Sequence, residues 1–173
     1  MKIYDMKVNH LTNPLGFFME RTVFTWKVAE AAGKYQEAAR IRIAEDPEFS
    51  KIIFDSGFDR EADSLAYKVE LELTPRTRYY WTVTVRSNAG EECTGTAQWF
   101  ETAKREEPWQ AEWITCDNTQ KRHPYFEKRI VPKKAVASAR LYISGLGLYE
   151  AYYIPEQFPG AEEGGQGIGS CGD

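Results

Sequence analysis

Enzymatic chemistry needs side chains that can move protons, hold metals or attack as nucleophiles, and this sequence offers few at usable spacing. Asp55, Asp59, Glu61 and Asp63 cluster near the turn Ser56-Gly57. A pair of facing carboxylates could serve as general acid and general base, and the acid needs a raised pKa. Nothing nearby in the sequence would raise one, so a solvated acidic loop is the expected reading. His10 and His123 stand apart from each other and from any cysteine pair, which predicts turn or surface residues and no metal site. Cys93, Cys116 and Cys171 form an odd set without ligand spacing. They leave one bridge open, exclude a disulfide framework and fit reduced thiols in the cytosol. Ser144-Gly-Leu-Gly147 lacks the Gly-x-Ser-x-Gly order of a nucleophile elbow and reads as a tight strand turn. Gly164-Gly-Gln-Gly-Ile-Gly169 has no Lys-Ser/Thr and is no phosphate loop. No catalytic, cofactor-binding or metal-binding residue is therefore expected.

Aromatic side chains are the remaining candidates, at 14% of the chain, enough to build both a core and a surface. Tyr80, Trp99, Trp109, Trp113 and Tyr125 could offer a platform on which an apolar sugar face stacks. Tyr80 falls on the polar face of its segment, opposite Trp81. Core or interface packing is the competing reading for each, because large aromatics carry much of a domain's buried area. Tyr80, Trp99, Trp109 and Trp113 are kept as the sugar-stacking candidates.

The elements that would position these residues are strands. Arg21–Val28 alternates, with Phe24, Trp26 and Val28 on one face. Gln36–Ala44 follows, with Ala39, Ile41 and Ile43 inward; Gly33 interrupts the preceding Ala/Glu/Lys-rich stretch and argues against a helix there. Lys51–Asp55, Tyr67–Leu73, Tyr79–Val85 and Gly95–Thr102 complete the series, with turns such as Asn88-Ala-Gly90 between them. Short alternating strands at this spacing predict an antiparallel β-sandwich. Thr102–Pro108 is charged, aperiodic and ends in Pro, which predicts a domain linker. Three further strands are expected at 125–131, 137–143 and 148–154, too few for an independent core. From Pro155 the Gly-rich sequence predicts a disordered tail.

With 22 basic and 26 acidic residues the net charge is −4, so no basic field points to nucleic acid or an anionic membrane. The apolar runs are too short to span a bilayer. The start MKIYDMKVNHLTNP has no apolar leader, and a cytoplasmic location is expected.

Leu73-Thr-Pro-Arg-Thr-Arg-Tyr-Tyr-Trp-Thr-Val-Thr-Val85 resembles the L-x-P-x-T-x-Y-x-W-x-V signature of fibronectin type III modules. In that corner Pro75 turns the chain, and Tyr79 packs inward while its hydroxyl caps upstream backbone. Gln36–Ile43 with Phe54-Asp-Ser-Gly57 resembles the variant at the N-terminus of bacterial α-L-rhamnosidases. Trp109–Ile114, Pro124–Lys128 and Ala139–Glu150 are similar to the start of the accessory sandwich that follows there. Tyr152-Tyr-Ile-Pro155 replaces the Asn-Gly hairpin usual in that family, and nothing beyond it is similar.

The resemblance implies an all-β chain: a fibronectin type III/immunoglobulin-like sandwich over residues 1–103, a linker over 104–108, an incomplete, jelly-roll-like second β-sandwich unit over 109–154 and a non-family tail over 155–173. It implies an inverting glycoside hydrolase whose carboxylates lie in a helical barrel not represented here, so no catalytic residue transfers. The expected role is a non-catalytic accessory fragment, from a truncated or frame-disrupted gene product or a deliberate fragment. Its expected partner is the remainder of the parent rhamnosidase. The alternative is a β module that binds rhamnose-containing glycans or protein, and a dimer through open sheet edges is a further expectation.

Overall fold

The computed structural model describes residues 1–19, 21–117 and 124–152. The chain divides into two compact units, Met1–Ile114 and Thr115–Asp173. Among the described residues the first holds nine strands: β1 Lys2–Val8, β2 Leu15–Phe17, β3 Thr22–Ala29, β4 Gln36–Ala44, β5 Ile52–Asp55, β6 Tyr67–Val69, β7 Arg78–Ser87, β8 Glu92–Thr94 and β9 Gln98–Thr102. No helix occurs among the described residues, so the fold is all-β as the alternation predicts.

One sheet is antiparallel, in the order β1-β3-β6. The second runs β2-β9-β7-β4-β5, with β8 also paired to β7. Its edge strand β2 runs parallel to β9, whereas the other pairs are antiparallel. The long β4–β7 ladder sets Ile41 opposite Val83 and Ile43 opposite Trp81. Period-two alternation therefore delivers Ile41, Ile43, Tyr79, Trp81, Val83 and Val85 to one face, where all are buried.

Phe24 and Trp26 close the core from the first sheet. Phe24 lies with its ring centroid 4.6 Å from that of Trp81 and 6.2 Å from that of Phe100, the latter edge-on, both favourable tilted geometries. The Trp26 indole donates to Gln36 Oε1 at 3.0 Å, and Gln36 Nε2 donates to the Ala62 carbonyl at 2.7 Å. Trp81 Nε1 is buried with no hydrogen-bond partner among the described residues.

The corner expected from Pro75 and Tyr79 is present. The backbone N–H of Thr74 donates to the Tyr79 hydroxyl at 2.9 Å, while the ring packs 5.5 Å from Phe100. Buried Thr102 completes it: its hydroxyl donates to the Thr74 carbonyl at 2.7 Å and accepts from the Thr77 N–H at 3.0 Å.

Three strands were not anticipated by periodicity. In β1 a register shift between Tyr4 and Lys7, with Asp5 at φ 50°, breaks the alternation. The segments β2 and β8 have three residues each and are defined by their neighbours. The strand expected at 67–73 ends at Val69, because the chain then crosses to the other sheet, although Val69 and Leu73 are both buried as the pattern requires.

The second unit corrects the sequence reading. The strands expected at 125–131, 137–143 and 148–154 do not form over the described residues 124–152. A strand needs a neighbour to accept its backbone hydrogen bonds, and none is supplied there. The tail at 155–173, His123, Cys171 and the glycines 164–169 lie outside the described residues.

Candidate functional site

The acidic group is held by structure rather than poised for catalysis. Asp55 makes a two-pronged ion pair with Arg40, through Nε at 2.8 Å and Nη2, and also accepts the Gly57 N–H at 3.0 Å. Its pKa is lowered to about 2, first by the Arg40 hydrogen bonds, the opposite of what a general acid requires. Asp59 Oδ1 accepts the Glu61 N–H at 2.8 Å, and Asp63 Oδ1 accepts the Leu65 N–H at 2.8 Å. These are side-chain turns in which a carboxylate stands in for a missing backbone acceptor. Asp59 also exchanges both backbone hydrogen bonds with Ala39, at 2.8 and 2.9 Å. The cluster thus fastens the 56–66 loop to β4.

The other candidates also resolve into architecture. Asn9 and His10, at φ 48° and 65°, form the two-residue turn between Val8 and Leu11, whose N–H and C=O groups bond reciprocally at 2.9 Å. Two successive positive φ values mark a type I′ turn. Asn9 adds side-chain bonds to the Val23 N–H and the Arg21 carbonyl, each 2.8 Å. Cys93 and Cys116 are free thiols. Among the described residues no three His, Cys, Asp or Glu side chains gather as a metal site. Leu146-Gly147 is a bend with Gly147 at φ 99°, without the flanking strands expected for it.

Of the four aromatic candidates the structure brings two together. Tyr80 and Trp99 are cross-strand partners on β7 and β9. Their neighbours Tyr79, Trp81 and Phe100 fill the core, so Tyr80 and Trp99 face outward and are half-buried. The guanidinium of Arg78 lies 4.0 Å from the Trp99 ring centroid and pairs with buried Glu101 at 3.2 Å. One face of the indole is thereby covered by a cation–π contact. Trp109 and Trp113 follow the last strand and are 50% and 70% exposed; the Lys104 ammonium sits 5.0 Å from the Trp109 centroid. The covering role of Arg78 was not readable from sequence, since an arginine two residues before Tyr80 is an ordinary outward position.

Two concavities, of about 260 and 240 Å³, lie near the sandwich edges. Their lining residues include one carboxylate each, Glu30 in the first and Asp5 in the second. Asp5 is held down to about 2 by Lys27 and Lys7. Neither cavity presents the two facing carboxylates that glycoside hydrolysis employs.

Comparison with known proteins converges on one group. Residues 3–106 match the family described as "Rha78A-like, N-terminal immunoglobulin domain". The chain is similar to an α-L-rhamnosidase of Formosa agariphila, at 29% identity over 182 aligned residues, covering 87% of this chain and 19% of that protein. It is 30% identical over 122 residues to an α-L-rhamnosidase of Streptomyces avermitilis, covering 67% of this chain and 12% of that one. The crystal structure of the S. avermitilis α-L-rhamnosidase complexed with L-rhamnose superposes with a TM-score of 0.61 at 28% identity, over 67% of this chain and 12% of that one. The α-L-rhamnosidase from Dictyoglumus thermophilum gives 0.59 at 27% identity, over 68% and 14%. The chain spans less than a fifth of the length of each of these proteins.

Proposed function

The chain belongs to the Rha78A-like family of N-terminal immunoglobulin domains, and from that premise we propose that it is a non-catalytic accessory part of an α-L-rhamnosidase. Its role is to support a catalytic domain that lies outside this sequence. The observation that carries the reading is where the likeness falls: the family match covers 3–106, and the clustered carboxylates there, Asp55, Asp59 and Asp63, are committed to an ion pair and to turns. Its natural partner is the remainder of such a rhamnosidase. Incubation of the isolated chain with an aryl α-L-rhamnoside tests the first half of this reading. No release of the aryl group above the buffer rate is expected. Turnover by the chain alone would overturn it.

A second reading is favoured by the adjacency of Tyr80 and Trp99 on the outer sheet face. That face would hold a rhamnose-containing glycan, with exposed Trp109 and Trp113 as further stacking residues. Arg78 already covers one side of Trp99, so a sugar would have to use the other. Titration of tryptophan fluorescence with L-rhamnose separates the readings: a saturable change lost in Trp99→Ala supports binding, and a flat titration removes it. Self-association through open edges belongs to the same set of proposals. Edge strand β2 exposes Leu15 and Phe17, and sedimentation velocity over a concentration series decides it.

A further inference from the structure

Residues 103–107, charged and aperiodic in sequence, are tied to the sandwich through Ala103, Arg105 and Glu107. The Ala103 N–H donates to the Phe17 carbonyl at 3.2 Å, and the Arg76 N–H donates to the Ala103 carbonyl at 3.1 Å. Lys104 Nζ donates to the Glu107 carbonyl, and the Glu107 N–H donates back to the Lys104 carbonyl at 3.2 Å. Arg76 Nε pairs with Glu107 Oε2 at 2.7 Å. At the centre, Arg105 donates from Nη1 to the Leu73 carbonyl at 2.8 Å and from Nη2 to the Met19 carbonyl at 3.4 Å.

Those two carbonyls share a topological property. Met19 lies where the chain passes from β2 in the second sheet to β3 in the first, and Leu73 where it passes from β6 back to β7. Both side chains are buried, yet neither residue sits in a sheet ladder that could satisfy its C=O. A buried carbonyl left unpaired costs about 1–3 kcal/mol. A planar guanidinium can reach two acceptors at once, which an ammonium on a single stem does less well. Arg105 and Arg76 also adopt φ 52° and 54°, a left-handed backbone that costs non-glycine residues about 1–2 kcal/mol. Such a conformation persists only where surrounding contacts over-determine it.

We propose that residues 103–107 form an orienting strap with Arg105 as its positioning residue. The Arg105 fork joins two of the inter-sheet crossovers to the chain as it leaves β9, so residues 108–114 depart from the sandwich in one fixed direction and do not swivel. This deepens the accessory reading, because a supporting domain must hold its neighbour at a set angle. It rests on that reading only for its purpose; the strap itself stands on the contacts above.

Limited trypsin digestion of the full chain, followed by mass spectrometry, tests the strap without reference to rhamnoside chemistry. The bonds after Lys104 and Arg105 are expected to be cut at least 10-fold more slowly than those after Lys133 and Lys134. In Arg105→Lys, which keeps the charge and the cleavage site but loses the fork, cutting after Lys104 should rise to the rate seen at Lys133. The far-ultraviolet spectrum should stay unchanged. Should Arg105→Lys fail to fold, Arg76→Gln removes only the outer ion pair and is expected to raise cutting about threefold. Equal rates at Lys104 and Lys133 in the parent chain would overturn the strap. So would folded variants whose cutting rates match the parent's.

Discussion

Residues 78–87 alternate apolar and polar side chains, residues 137–143 do the same through Ala137, Ala139, Leu141 and Ile143, and only the first stretch becomes sheet. In β7 every second side chain is buried against the first sheet, while β4 along one edge and β8 and β9 along the other take up its backbone hydrogen bonds. At 125–143 no strand is paired, and Ile130, Val131 and Leu141 remain 74%, 74% and 67% exposed. Period-two alternation therefore specifies which face a strand would bury, while the existence of the strand depends on a partner with free backbone groups. A sheet is a property of pairs.

The sharpest way to break this comparison is a matched pair of truncations. Phe24→Ala removes a ring buried against Trp81 and Phe100 and is expected to cost about 3–5 kcal/mol in urea unfolding. Ile143→Ala, in the unpaired stretch, should change the same midpoint by less than about 0.5 kcal/mol. Comparable losses would mean that 125–143 contributes to a core after all.

A smaller effect probes the corner. Tyr79→Phe keeps the packing against Phe100 but leaves the Thr74 N–H without its 2.9 Å acceptor. The expected loss is about 1–2 kcal/mol, read from the same denaturation curves, and a neutral result would reduce the corner hydroxyl to an ornament of packing. Asn9→Ala follows, with an expected cost of about 1 kcal/mol, because a turn residue at φ 48° loses two side-chain bonds as well as its left-handed tolerance.

The smallest expected effect is electrostatic. The pKa of Asp55 is depressed below its ordinary 3.8 to about 2, so its pairing with Arg40 stabilises the fold fully above about pH 4. That contribution is lost as the pH falls through about 2. Arg40→Met should return the Asp55 carboxyl midpoint, followed by carbon NMR, toward 3.8. At neutral pH it should cost no more than about 1 kcal/mol, since the pair is solvent-accessible.

Legibility in the sequence tracked the same distinction between faces and partners. The bounds of β4, Gln36–Ala44, were readable residue for residue, because Ala39, Ile41 and Ile43 alternate with Arg40 and Arg42 between Gly33 on one side and Asp46-Pro47 on the other. Tyr79 and its hydroxyl were readable because the corner is a local motif. The strand β1 was hidden by its bulge, and β2 by its length, since three residues carry no period. Among the site candidates, the turn role of His10 and the loop role of the acidic cluster followed from residue types. The cover that Arg78 places on Trp99, and the reach of Arg105 to two crossovers, depend on residues far apart in sequence. No spacing rule could place them.

The parallel pairing of β2 with β9 has a consequence for how this protein is made. Asn13 Oδ1 accepts the Trp99 N–H across 86 residues, and Leu15 finds its partner only at Glu101. A ribosome adding roughly 5–20 residues per second exposes the early edge for roughly 4–17 s before β9 exists. During that interval Leu15 and Phe17 have no sheet to join, so the nascent chain carries this apolar segment first and pairs it last. Cotranslational folding of this sandwich is gated by its final strand.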